Sequence, residues 1–172
     1  FYLLYLQANN QVHQIMKYLF KTLSILLFTG SAFFVTAQTI VAQSFTIRTT
    51  AYTHSEDDHL VYGKSTASGT QLQCNQQYTS AAADWSRFPL GTKFKIKGEP
   101  TIYVVDDYGI ALVGTSTIDI YRPTTKAMNH WGVRTVEIEI LKTGDIEKSR
   151  RILKSRGRFG FVKRMHTDMS RG

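Results

Sequence analysis

Three aspartates stand where a carboxylate can do acid–base work. Asp119 lies between Ile118 and Ile120, Asp107 follows the apolar run Thr101 to Val105, and Asp84 follows three alanines and precedes Trp85. A carboxyl beside apolar strand residues loses hydrating water, which favours its protonated form and suits it to act as a general acid. Such an acid serves glycosidic cleavage, where the leaving oxygen must take up a proton. Residue types alone favour a plainer reading, in which Asp106, Asp107 and Asp119 are turn formers or solvated strand residues.

The elements that must position these groups read as short strands. Phe45 to Tyr52 is rich in β-branched and aromatic residues, the composition of a strand. Residues 53–71 are polar, with Gly63 and Gly69, and read as a long loop. After the turn residues of Phe88-Pro89-Leu90-Gly91-Thr92, the segment Lys93 to Lys97 alternates charge and hydrophobe, as a strand with one wet face does. Thr101 to Val105 and Ile118 to Tyr121 are two more strands, and in the second a period of two sends Ile118 and Ile120 to one face and Asp119 to the other. Pro123 to Trp131 reads as the single helix, with Pro near its first turn and Gly132 placed to cap its end. Thr135 to Leu141 closes the pattern, with Val136, Ile138 and Ile140 on one side and Glu137 and Glu139 on the other. At least five strands and one helix predict a compact, mainly β barrel.

The aspartates fall in order within a longer series: Thr50-Ala51-Tyr52-Thr53, Gly63 to Thr70 (Gly-Lys-Ser-Thr-Ala-Ser-Gly-Thr), Ala83-Asp84, Pro89-Leu90-Gly91-Thr92, Asp107-Tyr108-Gly109 and Ile118-Asp119-Ile120-Tyr121. This series resembles the 3D domain family, named for three aspartates, over roughly residues 46–141. The resemblance implies a six-stranded double-psi β-barrel with one or two short helices, as in membrane-bound lytic transglycosylase A and the small stationary-phase muralytic proteins. It also implies cleavage, without water, of the β-1,4 bond between N-acetylmuramic acid and N-acetylglucosamine, leaving a 1,6-anhydro sugar on peptidoglycan glycan strands.

Carried over by motif, Asp119 is the acid and then the base, Asp107 is the supporting charge, and Asp84 has a supporting or structural part. Tyr52, Thr53, Thr66, Tyr108 and Gly109 are the candidate substrate contacts. Two departures stand out: Ile110 replaces the second glycine of the family's second-aspartate motif, and Trp85 stands where a proline is usual. Rare-lipoprotein-A-like and expansin-like barrels share some of the series, so a barrel that binds wall glycan without cutting it is the alternative reading.

No cofactor is implied. His54, Glu56, Asp57, Asp58 and His59 are a dense group of possible ligands, but their spacing fits no helix-borne metal motif, and they read as a charged, solvated loop. Trp131 reads as packing, whereas Tyr52 and Tyr108 are poised between packing and sugar stacking. Cys74 is the only cysteine, so no intrachain disulfide forms, and it reads as a passive thiol.

The organisation completes the picture. From Met16, Lys17 and Lys21 flank the start of an apolar stretch, Leu23 to Val35, followed by small residues, the pattern of an export signal. At thirteen residues it is short for a membrane-spanning helix, which needs about 20. Residues 1–43 are thus expected to be upstream sequence and signal, 44–144 the barrel, and 145–172 a basic tail, in a protein destined for the periplasm, cell envelope or exterior. The charge of +8 is concentrated at that end: residues 44–144 hold ten Lys/Arg against ten Asp/Glu, and residues 145–172 hold nine against three. That balance implies no specific nucleic-acid partner. The tail is expected to be solvated and mobile and able to touch anionic surfaces, with Ile152, Leu153, Phe159, Phe161 and Val162 available to pack part of it on the domain.

Overall fold

In the computed structural model, residues 16–17, 44–56 and 59–171 are described, so all but the first two residues of the expected export signal lie outside the described residues. Six strands close into a barrel: β1 Ser44–Tyr52, β2 Thr79–Ala82, β3 Lys93–Ile96, β4 Ile102–Asp107, β5 Ile118–Tyr121 and β6 Arg134–Lys142. Around the barrel they run β1-β5-β2-β4-β3-β6. The strand order mixes directions. β1 pairs antiparallel with β6 through its first half and parallel with β5 through its second, while β2 is parallel to β4 and antiparallel to β5. Two parallel pairs made by strands distant in sequence require chain crossings, in keeping with the double-psi barrel expected for this mainly β chain.

Alternation places the core as the sequence predicts. Ile118 and Ile120 are fully buried while Asp119 between them is only half-buried, and Phe94 and Ile96 of β3 point inward between lysines. The strand that periodicity does not reveal is β2, Thr-Ser-Ala-Ala, in which every residue is buried. A strand covered on both faces has no alternation to read, and this one is paired on both edges, between β5 and β4.

Between β2 and β4 the register slips: Ala81 lies opposite Val105, but Ala82 lies opposite Asp107. Asp106 is therefore the extra residue of a β-bulge, a feature that re-aims side chains. Both consecutive aspartates are buried. Beside the bulge, Gly91 adopts φ of 87°, a conformation that favours glycine. Its N–H donates to the Val105 carbonyl (2.7 Å), fastening the turn to β4.

One helix, α1 (Thr125–Trp131), occupies the predicted place, with Thr124 capping its start and Gly132 its end. Residues 145–172 depart from the expected mobile tail. They form α2 (Ile146–Ser155) and α3 (Gly160–Asp168), so the domain has three α-helices among the described residues rather than one or two, besides a 3-10 turn at Ile110–Leu112. The physical reason is amphipathicity. Leu153, Val162 and Met165 are fully buried in the same core as the barrel's isoleucines, while Lys148, Arg151 and Lys154 face water. Burying each of those apolar side chains stabilises by about 1.5–3 kcal/mol.

Polar contacts fix the junction. Asp145 accepts from Lys148 N (2.8 Å) as the α2 cap, and Ser149 Oγ accepts from Leu90 N (2.8 Å) and donates to the Asp145 carbonyl (2.7 Å). Gly144 passes so close to the carbonyls of Pro89 and Leu90 that a Cβ there would collide with them. Among the described residues no helix is long and apolar enough to cross a membrane.

Leu153→Ala is expected to lower the unfolding free energy by about 2–5 kcal/mol, whereas Arg151→Ala on the exposed face is expected to change it by no more than about 0.5 kcal/mol. Urea denaturation of the two variants distinguishes a docked helix from a loose tail.

Candidate active-site groove

A groove of about 730 Å³ opens at the edge of β1, β4 and β5, and both Asp107 and Asp119 line it. Strand β1 organises the pair. Thr50 and Tyr52 are two apart and therefore project to the same side of the strand. Thr50, in register with Asp119 across the parallel pairing, donates Oγ1 to Asp119 Oδ1 at 2.7 Å. Tyr52 directs its hydroxyl at Asp107 Oδ2, at the longer distance of 3.3 Å. On its other side Asp119 lies opposite Ala82 of β2, whose small side chain leaves the carboxyl at the groove surface.

Asp107 is more deeply set. Its Oδ1 accepts from the backbone N–H groups of Ala67 (2.8 Å) and Tyr108 (2.9 Å), and the Trp85 indole donates to its carbonyl (2.8 Å). His59 brings Nε2 to 3.5 Å from Asp107 Oδ2, its Nδ1 lies 3.2 Å from the Gly63 carbonyl, and its ring packs on Tyr52. With Nδ1–H directed at that carbonyl, an ion pair to Asp107 forms when Nε2 is protonated. Burial, reinforced by the charges of Asp107, Asp106 and Asp119, pushes the Tyr52 phenol well above its usual range. Tyr52 thus stays a neutral donor at physiological pH.

Of the predicted contacts, Tyr52, Thr66, Tyr108 and Gly109 line the groove with the two aspartates. Thr66 also ties its own loop, accepting from Thr70 N at 3.2 Å and sharing hydroxyl contacts with Ser68 and Thr70. Thr53 is not a lining residue. It is fully buried, with its N–H donating to Glu56 and its hydroxyl beside Ser55.

Asp84 likewise lies away from the groove. It is fully buried and accepts from Ser86 N, Ser86 Oγ and Gly114 N, at 2.8, 2.7 and 2.6 Å, holding two turns together. Ile110 has an ordinary negative φ, since no residue other than glycine has a positive φ among the described residues, and its side chain is 69% exposed at the groove rim. Its backbone needs no glycine.

Sequence reasoning missed His59 and the α2–α3 connection, which supplies Arg156, Arg158 and Phe159 to the groove, with Phe161 added from the first turn of α3. His59 is 48 positions from Asp107, so no spacing rule links them. Among the described residues no group of three or more His, Cys, Asp or Glu is arranged to hold a metal ion.

Asp106, the bulge residue, faces Ser80, whose hydroxyl donates to Oδ2 at 2.7 Å, while Oδ1 is buried without a partner. Burial pushes its carboxyl up to about 7, with the Ser80 bond opposing and the Asp107 charge adding to the rise. A neutral acid is the form that such a site tolerates. Its carboxyl is raised on folding, so the folded state holds a proton that the unfolded chain releases near pH 4. Stability from this group is therefore full below about pH 4 and lost as pH rises to about 7. Asp106→Asn is expected to flatten this part of the profile and to melt above the wild type at pH 8. Thermal melts of both proteins from pH 4 to 8 check it.

The fold and the groove together define a closed, mixed six-stranded barrel with two carboxylates in an open cleft. Residues 79–142 match the 3D domain model, and the matched stretch contains all three aspartates. A relative, the "Cell wall-binding protein YocH" of Bacillus subtilis (strain 168), is 32% identical over 100 residues, which are 58% of this chain and 33% of that protein. The chain thus spans about a third of the length of that relative. Among solved structures, a crystal structure of MltA from E. coli is matched with a TM-score of 0.36 and 26% identity, over 46% of this chain and 27% of that one.

Proposed function

We propose that this protein is an exported, cell-wall-directed lytic transglycosylase that cleaves the β-1,4 bond between N-acetylmuramic acid and N-acetylglucosamine in peptidoglycan. The observation that carries this reading is the placement of Asp107 and Asp119 in one groove, each approached by a hydroxyl from the same strand. The 3D domain match supports the family chemistry. The cell-wall-binding relative supports the compartment and the partner.

In the proposed reaction Asp119, the more accessible carboxyl, gives its proton to the glycosidic oxygen as the bond from the muramic C1 to that oxygen breaks. Positive charge develops on the muramic ring, and the negative charge of Asp107 stabilises it. The ring's own 6-hydroxyl then attacks C1. Its proton passes to Asp119, the C1–O6 bond forms, and the acid is regenerated. No water is consumed, so one acid–base residue suffices. Thr50, bonded to Asp119, is a positioning residue that orients the carboxyl.

The relative's name favours a second reading, a barrel that holds wall glycan without cutting it. Product chemistry separates the two. Purified peptidoglycan incubated with the protein is expected to release anhydro-muropeptides detectable by mass spectrometry, and Asp119→Asn is expected to reduce the rate by about 10²–10⁴-fold, the range for a lost general acid–base. Equal release by the wild type and Asp119→Asn would overturn the role of Asp119. Retention on peptidoglycan with no release by the wild type would establish the binding barrel instead.

A further inference from the structure

One wall of the groove comes from outside the barrel. The turn between α2 and α3 reaches over the rim, and Arg156 Nη1 donates to the Ala67 carbonyl at 2.6 Å and to the Tyr108 hydroxyl at 3.2 Å. Ala67 and Tyr108 are also the two residues whose N–H groups hold Asp107. Next along the turn, the exposed Arg158 lies with its guanidinium 4.8 Å from the centre of the Phe159 ring, which is itself exposed at the groove. Phe161 packs edge-on against Tyr108 and backs this corner. The exposed Arg48 of β1 also lines the groove.

The charges of the lining decide what this wall fits. Among the described residues the groove presents three arginines, Arg48, Arg156 and Arg158, against two carboxylates, Asp107 and Asp119. Arg156 is occupied with its hydrogen bonds to Ala67 and Tyr108. Arg158 has no carboxylate within 4 Å among the described residues, its contact there being the face of Phe159. Stacking on an aromatic face holds a guanidinium flat and leaves its N–H edge directed outward, the geometry that receives a carboxylate. A neutral sugar chain has no need of such a wall. A glycan with acidic substituents does, because the charge of Asp107 at the floor repels those substituents and an arginine on the wall draws them aside.

Resting on the glycan reading above, we propose that the α2–α3 corner is a subsite for the carboxylates of the peptide stems carried by the glycan strand. Arg158 is the contacting cation, and Phe159 is its platform. The basic C-terminal segment thereby selects strands whose stems carry free carboxylates over strands with neutral stems, rather than serving as a general anchor to anionic surfaces.

The test is binding of the whole protein to soluble, uncrosslinked glycan strands, compared before and after the stem carboxylates are capped as neutral amides; the stems stay in place, because cutting them off would free a lactyl carboxylate on each muramic ring. A charge-assisted hydrogen bond is among the stronger single contacts, so capping is expected to weaken wild-type binding by about tenfold or more. Arg158→Glu is expected to bind uncapped strands no better than the wild type binds capped ones, with its affinity for capped strands unchanged. Arg158→Lys is expected to recover part of the difference. Unchanged melting temperatures establish that the variants are folded. If capping leaves wild-type affinity unchanged, or if Arg158→Glu weakens both ligands equally, the subsite is overturned while the glycan reading stands. If the wild type binds neither strand, the glycan reading fails and the subsite fails with it.

Discussion

The structure depends on how one buried carboxylate is satisfied. Asp107 is almost wholly removed from water, and a charge in that position costs several kcal/mol unless donors surround it. Those donors come from three directions: the Ala67 N–H from the long loop, the Tyr108 N–H from the chain just beyond β4, and the Tyr52 hydroxyl from β1. The loop that encloses the groove is thus fastened to the barrel by the same group that supplies the groove's charge. Trp85 adds a fourth tie through the backbone carbonyl. Losing a donor here leaves buried charge uncompensated, so the loop, the strand and the aspartate hold one another in place.

This constraint separates the roles of two aspartates that look alike in the sequence. Asp107 is committed to a closed set of partners, whereas Asp119 is half-buried and presents its carboxyl at the groove surface beside Thr50. The bulge in β4 is what makes the arrangement possible. Without the extra residue, Asp106 and Asp107 would face opposite sides of the sheet. With it, one turns inward to Ser80 and the other reaches Tyr52 and Ala67. The inward residue carries the cost, seen in the unpartnered Oδ1 and the raised carboxyl of Asp106.

Much of this was legible from alternation alone. β1, β3, β5 and β6 expose their period of two, and the isoleucines flanking Asp119 announce both a strand and a polar position on its outer face. β2 was not legible, because Thr-Ser-Ala-Ala buried on both faces carries no period. The bulge was not legible either, since Asp106-Asp107 in a row reads as a turn unless the pairing partner is known. Asp84 illustrates the limit of a motif: its place in the series says nothing of its surroundings, and only its three hydrogen bonds to Ser86 and Gly114 reveal that it holds turns together away from the groove. His59 was hidden by its neighbours, a run of charged residues that reads as solvated.

The C-terminal segment shows why charge counts mislead when periodicity is ignored. Nine basic residues against three acidic ones suggest a loose polycation, yet Ser149, Leu153, Val162 and Met165 fall on buried faces, and the basic side chains occupy what remains. Once docked through Ser149 and Gly144, the segment can no longer place its arginines freely. Arg156 is drawn to the loop that carries Ala67, and the turn that follows becomes part of the groove. Packing of the helices and shape of the groove are therefore one problem. Apolar side chains on one face of α2 and α3 determine where the guanidinium groups of the turn between them lie, and Asp107 and Asp119 line the cleft which that turn helps to enclose.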